Sequence, residues 1–374
     1  MRPVWHIYPT RGASGAYVHA LQTALHQGGI RSYAFVSRYY TFDTGGAIRY
    51  FFPITDSFVK RNKPINILRG IELITGYFFI WAAALVMRPV ICLHLAGYLG
   101  GMNILFRGCK LAGLKVYLTC HDVTEDNANM TRSRLYMLLN ADKLIVHSSE
   151  ANKKLRENLG PAAAQHIVQY PFPFSSYDSI LTPEGKEKAA ATLQKVMGGD
   201  ADYFLFLGYV RKSKGVDTLL EAWKISRCKN KFKLFIAGRW GDTNAIDLLN
   251  KATELDNCVV LNKYLSDEEF VCFIEKSRFS ILPYNDYSHS SVLISCAKYN
   301  GAVIVSDIEL FKDYLRDYDL TFPKGNVKAL AAVLDKAAEM PENEVKLRAA
   351  MLKESVEEYD RKLPEEIARA YKEP

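Results

Sequence analysis

The sequence predicts an α/β protein built as two Rossmann-like domains, and three observations carry that expectation. The chain has 374 residues, more than one ordinary α/β domain needs. Short apolar runs alternate with helical patterns as far as Asn158, the rhythm of a parallel, doubly wound sheet. The stretch Tyr170–Tyr177, YPFPFSSY, then breaks the rhythm, which resumes beyond residue 200. Proline fixes φ and donates no backbone hydrogen bond, so that stretch suits neither a central strand nor a helix and reads as the exit from the first domain. The expected domains are residues 1–175 and 176–354.

Each element follows from local pattern. Val4–Tyr8 is a short apolar run and a strand; Arg11–Gly15 is a glycine and serine turn; Ala16–His26 is helical. Ser32–Ser37 is the next strand, and residues 40–66 are too mixed to place. Strands are expected at Val90–Leu95, Lys115–Thr119 and Lys143–His147, with helices over Met102–Ala112, Ser133–Asn140 and Glu150–Asn158. In the second half the helix Pro183–Met197 and the turn Gly198–Asp200 lead to a strand ending at Leu207. Further strands are expected at Lys233–Ala237, Val259–Leu261, Phe279–Leu282 and Ala302–Val305. Val327–Tyr371 is rich in Glu, Lys and Ala and reads as helical.

Composition narrows the class. The apolar fraction is 49% and the charged fraction 24%, ordinary for a globular protein. The first residues, MRPVWHIYPTRG, hold no apolar run of the kind a signal peptide needs. Seven cysteines, at 92, 109, 120, 228, 258, 272 and 296, form no CxxC pair. They read as reduced thiols of a cytoplasmic protein, and no metal site is expected from them. The net charge of +7 suits an anionic lipid surface or a diphosphate substrate. No basic stripe interleaved with aromatics is present, so nucleic acid is not expected as a partner.

Ile71–Met87, IELITGYFFIWAAALVM, is almost wholly apolar and follows Lys60, Arg61, Lys63 and Arg69. A spanning helix needs ~20 apolar residues, and Glu72 leaves about 15. The length rule favours a buried helix under a sheet. The other reading is a helix docked on the inner face of the membrane, with its basic flank on anionic headgroups.

The segment FLFLGYVRKSKGVDTLLEAW, Phe204–Trp223, carries the most chemistry. A buried strand ends at Gly208. Arg211, Lys212 and Lys214 crowd a short turn, and Val216, Leu219, Leu220 and Trp223 recur at helical spacing. A cationic turn between strand and helix is one way α/β proteins hold phosphate, because fixed charges join the free N–H groups of a helix start. The plain alternative is a solvated basic loop. A second anion-ready helix start follows Leu282, where Ser290 and Ser291 offer hydroxyls beside orphan amides; the plain alternative there is an ordinary serine N-cap.

GYVRKSKGVDTLLEAW resembles the FxGxIRxxKGxxxLxxAF segment of retaining nucleotide-sugar glycosyltransferases of the GT-B fold, family four. Four more segments are similar to that family: Thr10–Tyr17, the strand end LTCHDV at Leu118–Val123, LIVHS at Leu144–Ser148, and LPYNDYSHSSVL at Leu282–Leu293 with its following GAVIVSD. The resemblance implies two Rossmann-like domains facing a cleft, with the last helix, about residues 355–374, returning to the first domain. It implies a nucleotide diphosphate-sugar donor and a glycan or lipid-linked acceptor, with no cofactor. Arg211, Lys214, Ser290, Ser291, Gly12 and Gly15 would bind the donor diphosphate. Gly208, Tyr209, Tyr264, Tyr284 and Tyr287 would complete the donor site. His121 and Asp122 would be catalytic, and His147 structural. Bacterial surface polysaccharide synthesis is the expected setting.

Two departures stand out. A spaced glutamate pair common in that family is replaced by about Tyr287 and Ser295, and Asn300-Gly301-Ala302 stands for Gly-X-Pro. A glycosyltransferase-like binding subunit without activity, and a GT-B nucleotide-sugar epimerase, are the alternatives. The epimerase would need acid and base groups at the sugar, and no clear set of these is visible.

Overall fold

A computed structural model describes residues 2–372 apart from 10–13, 39, 43–44, 56–62, 96–100, 122, 124–130, 161–164, 241–242 and 288. The chain divides into one unit of Met1–Ser175 with Asp360–Pro374 and a second of Ser176–Tyr359. The helix Glu342–Lys372 therefore gives its last turns to the first unit.

The first unit holds β1 (Val4–Tyr8), β2 (Ser32–Ser37), β3 (Ala47–Phe51), β4 (Val90–Leu95), β5 (Val116–Cys120), β6 (Lys143–Val146) and β7 (Ile167–Gln169). They form one parallel sheet in the order β3-β2-β1-β4-β5-β6-β7. The order reverses beside β1, the arrangement of a doubly wound fold. Successive strand residues face opposite sides of a sheet. One side carries Trp5, Ile7, Ile91, Leu93, Val116, Leu118, Leu144 and Val146, all in a single apolar core.

The other side is different in kind. Register sets His6 beside Cys92, His94 beside Thr119 and Thr119 beside Ile145. His121 and His147 follow two residues later on the same side. Tyr17, from the helix Ser14–Gln27, and Tyr371, from the last helix, lie against this layer. Tyr371 packs on Tyr117 and its hydroxyl lies 3.5 Å from the Cys92 sulfur. Lys143 donates to the Ala370 carbonyl at 2.7 Å, satisfying an orphan acceptor near that helix's end.

The second unit repeats the plan with β8 (Tyr203–Leu207), β9 (Lys233–Ala237), β10 (Cys258–Leu261), β11 (Phe279–Leu282), β12 (Val303–Ser306) and β13 (Thr321–Phe322). Their order is β10-β9-β8-β11-β12-β13, again parallel, with the reversal beside β8. Phe204 stacks on Phe279 across the β8–β11 pair and meets Trp223 edge-on.

The structure differs from the sequence expectation in several places. β7 and β13 are short strands beyond those expected, and the helical stretch from Val327 is two helices, Val327–Glu339 and Glu342–Lys372. Two further differences matter more. Residues 47–51 form β3, an edge strand whose middle residues are solvent-facing, so it lacks the apolar run that marks the central strands. The apolar helix is longer and less buried than expected, running Lys63–Met87. Its buried line is Leu73, Gly76, Tyr77, Ile80 and Ala84, packed towards Phe51 and Phe52. Ile67, Ile71, Ile74, Phe78, Phe79, Val86 and Met87 are exposed, so the helix is not a core helix under a sheet. Glu72 does not merely interrupt the apolar run. Its carboxylate accepts from the amide of Ile54 at 2.8 Å, the amide of Thr55 at 3.2 Å and the Thr55 hydroxyl.

His6 is wholly buried mid-strand, and desolvation lowers its pKa from 6.5 to about 3. The folded state keeps it neutral while the unfolded chain takes up a proton below about pH 6.5. Its contribution to stability is therefore full above that value and erodes as pH falls towards 3. Thermal unfolding midpoints are expected to hold near neutrality and drop on acidification, with a shallower drop in His6→Asn.

Candidate functional site

In the second unit the candidate donor residues gather at the carboxyl ends of β8 and β11. β8 passes through Gly208 and Tyr209 to Val210, which bridges to Trp240 beyond β9. The guanidinium of Arg211 lies 4.8 Å from the centre of the Tyr209 ring. Lys212–Lys214 form one 3-10 turn, and Gly215 at φ 64° hands the chain to the helix Val216–Ile225. A Cβ at Gly215 would stand 1.8 Å from the Pro283 carbonyl oxygen, so only glycine lets this turn reach the segment after β11.

That contact places Lys214. Its side chain is 5% exposed, and Nζ sits 3.8 Å from the Tyr284 ring centre and 3.9 Å from that of Tyr287. Aromatic faces attract an ammonium, more strongly when water is excluded. Weak screening also strengthens what such a cation gains from an anion. Tyr284 is held in turn: its carbonyl accepts from the Ser306 hydroxyl at 2.6 Å, and its phenol lies 3.5 Å from Ser290 Oγ. Burial raises the Tyr284 pKa, so it stays a neutral phenol. Asn285 ties the two segments, its amide donating to the Ser213 carbonyl at 2.9 Å.

Ser290 caps the helix Ser291–Lys298, accepting from the Leu293 amide at 3.2 Å. It is nearly wholly buried, whereas Ser291 at the first helical position is half-buried. Ser290 therefore takes the ordinary capping role, and Ser291 stands at the first turn of the helix. Ser295 is fully buried within the same helix. Tyr264 stands apart on the loop after β10, 73% exposed, with the Arg239 guanidinium 5.0 Å from its ring centre.

Arg239 was not among the candidates. It follows β9 as Arg211 follows β8, one more cation just past the carboxyl end of a parallel strand. The signal was the run FIAGRW, in which a glycine and a cation close an apolar strand.

In the first unit His121 lies just past the end of β5, buried, with its Nε2 3.2 Å from His94 Nδ1. The Tyr17 ring meets it edge-on at 4.8 Å. His147 is fixed on both sides. Its Nδ1 lies 3.3 Å from the Tyr170 carbonyl, which can only accept. The proton is therefore on Nδ1, and Nε2 accepts from the Tyr17 hydroxyl at 3.2 Å. Gly15 has a packing reason of its own, since a Cβ there would meet the Phe42 ring at 3.1 Å. Gly12, Asp122, Lys60 and Arg61 lie outside the described residues.

Residues 193–355 match the family model for glycosyl transferases group 1. No curated protein matches the chain at a significant level. Solved structures do resemble it. The catalytic domain of starch synthase IV from Arabidopsis thaliana, bound to ADP and acarbose, aligns with a TM-score of 0.71 at 12% identity over 100% of both chains. Anabaena HepE in complex with UDP-glucose aligns at 0.68 and 12% identity over 99% of both chains. Sucrose-phosphate synthase from Thermosynechococcus elongatus aligns at 0.65 and 17% identity over 99% of this chain and 97% of that one. At these identities the structures speak for the fold, and the family model speaks for the second unit. Residues 193–355 belong to the group 1 glycosyl transferases, and the chain as a whole has the GT-B fold.

Proposed function

We propose that this glycosyltransferase moves a hexose from a nucleotide diphosphate-sugar to an acceptor hydroxyl with retention of configuration, in the synthesis of bacterial surface polysaccharide. The observation that carries the donor half is Lys214, seated on Tyr284 and Tyr287 beside Arg211 at a helix start. As the glycosidic bond breaks, negative charge grows on the departing nucleoside diphosphate. Exposed Arg211, buried Lys214 and the first amides of the helix at Ser291 meet that charge, Lys214 where little water competes. Those groups do what a divalent ion does in metal-using transferases, so the step proceeds without one. The acceptor meets the sugar on the face the diphosphate leaves, and a diphosphate oxygen takes its proton. Anabaena HepE was solved with UDP-glucose, which makes a UDP-hexose the first donor to try. His121 is the group we assign to the transferred sugar.

The acceptor half rests on the helix Lys63–Met87. It is long and apolar enough to cross a membrane, and 28% of its apolar window is buried. Ile67, Ile71, Ile74 and Phe78 recur at three- and four-residue spacing and form one exposed stripe opposite the buried line. A stripe of this kind suits docking in the plane of the inner leaflet, where a lipid-linked acceptor is found. Arg69 contributes less than its sequence position implied, because its guanidinium stacks 3.3 Å from the centre of the Phe52 ring.

Two measurements test these assignments. In a transfer assay with UDP-glucose, Arg211→Ala with Lys214→Ala is expected to cost at least about 2 to 4 kcal/mol of transition-state stabilisation. Undiminished turnover in the double variant removes the donor assignment, and activity abolished by EDTA and restored by manganese removes the metal-free step. In sedimentation with anionic liposomes, the wild type is expected to pellet at low salt, and Ile71→Ser with Phe78→Ser to stay in the supernatant. A wild type that stays in solution sends the acceptor search to soluble glycans.

A further inference from the structure

The polar side of the first sheet contains a chain of imidazoles of which the proposed function uses only His121. His6 Nδ1 lies 3.1 Å from His94 Nε2, and His94 Nδ1 lies 3.2 Å from His121 Nε2. All three rings are buried. Desolvation holds His6 and His94 in the neutral form, so each carries one ring proton. A neutral imidazole has one donor and one acceptor nitrogen. Two such contacts in series therefore permit only two arrangements. Either every proton points from His6 towards His121, or every one points the other way.

The far end of the chain decides between them. His6 Nε2 is buried and has no hydrogen-bond partner. If the protons ran towards His6, that nitrogen would be an N–H without an acceptor in a site closed to water. Buried donors left unpaired are rarer and more costly than acceptors left unpaired. With the protons running the other way, His6 Nε2 is a bare lone pair. Nδ1–H of His6 then donates to His94, Nδ1–H of His94 donates to His121 Nε2, and the proton of His121 sits on Nδ1.

We propose that His6 and His94 form a tautomer lock that keeps the proton of His121 on Nδ1, leaving this residue a hydrogen-bond donor at the strand end. Its role towards the sugar rests on the function proposed above; the tautomer itself does not. Free imidazole side chains favour the opposite tautomer, so the lock has something to do. His121 held this way has no lone pair left to act as a base, since Nδ1 carries the proton and Nε2 accepts from His94. His94 and His6 are positioning residues: they touch no substrate and act through His121.

Long-range proton–nitrogen correlation spectra of the full chain with nitrogen-labelled histidine read the tautomer directly. The chain has eight histidines, and His121→Gln identifies the signal of interest. The wild type is expected to show His121 protonated on Nδ1. His94→Gln, whose side-chain amide can still donate to His121 Nε2, is expected to keep the proton on Nδ1, and His94→Leu, which takes that donor away, to give a mixture of the two tautomers. In the transfer assay His94→Leu should lower kcat roughly tenfold with KM little changed, as outer-shell positioning groups do, with partial recovery in His94→Gln. A wild-type His121 protonated on Nε2 overturns the lock whatever the variants do. One equivalent of zinc or copper in the purified protein, lost in Cys92→Ser, also overturns it. His6, Cys92 and His94 bring ligand atoms within 4.8 Å of one another, and a metal there would take the nitrogens the chain needs. A confirmed tautomer with no transferase activity keeps the lock and rejects the proposed function instead.

Discussion

The candidate site in the second unit depends on a backbone approach that leaves no room for a side chain. The cationic turn after β8 rests directly on the Pro283 carbonyl after β11, and Gly215 is the residue that allows it. The same device recurs one strand over, where a Cβ at Gly238 would stand 2.0 Å from the Gly208 carbonyl oxygen. Three strand ends are thereby drawn together more tightly than side chains would permit. Lys214 is buried on two tyrosines because its turn cannot stand away from them. The chemistry of the turn is thus a consequence of close backbone packing at the reversal point of the sheet, where open α/β sheets leave a crevice.

Much of this was legible in the sequence, for a stated reason. Central strands such as Phe204–Leu207 and Val303–Val305 are buried on both sides and print an unbroken apolar run. The turn at Arg211–Gly215 printed its charge and its glycine. What stayed hidden was whatever depends on a partner far along the chain. The edge strand Ala47–Phe51 has no run of its own, because its neighbour β2 and not its side chains makes it a strand. His6 and His94 are single polar residues inside apolar strands, and only the parallel register puts them in one row with His121. Arg239 is one cation after a strand, which says little until the strand's neighbours are known.

The first sheet shows how one layer can be asymmetric. One side is mostly hydrocarbon packed against helices, with few polar groups, the Tyr77 hydroxyl among them. The other is a row of imidazoles, phenols and a thiol, each buried and most of them hydrogen-bonded to one another. An apolar interior tolerates substitution of similar volume, whereas a satisfied polar row does not, because removing one member strands the next. Small changes on this side would carry further along the row than changes of equal size on the other.

The last helix gives the protein an order of assembly. Tyr371 closes the polar side of the first sheet against Cys92, His6 and Tyr117, although more than two hundred residues of sequence separate them. During synthesis the amino-terminal sheet emerges early and waits with that side covered by Tyr17 but not yet closed by Tyr371. The second unit, continuous from Ser176 to Tyr359, has all its residues in hand first. Of these two units, the one synthesised earlier is therefore the later to be complete.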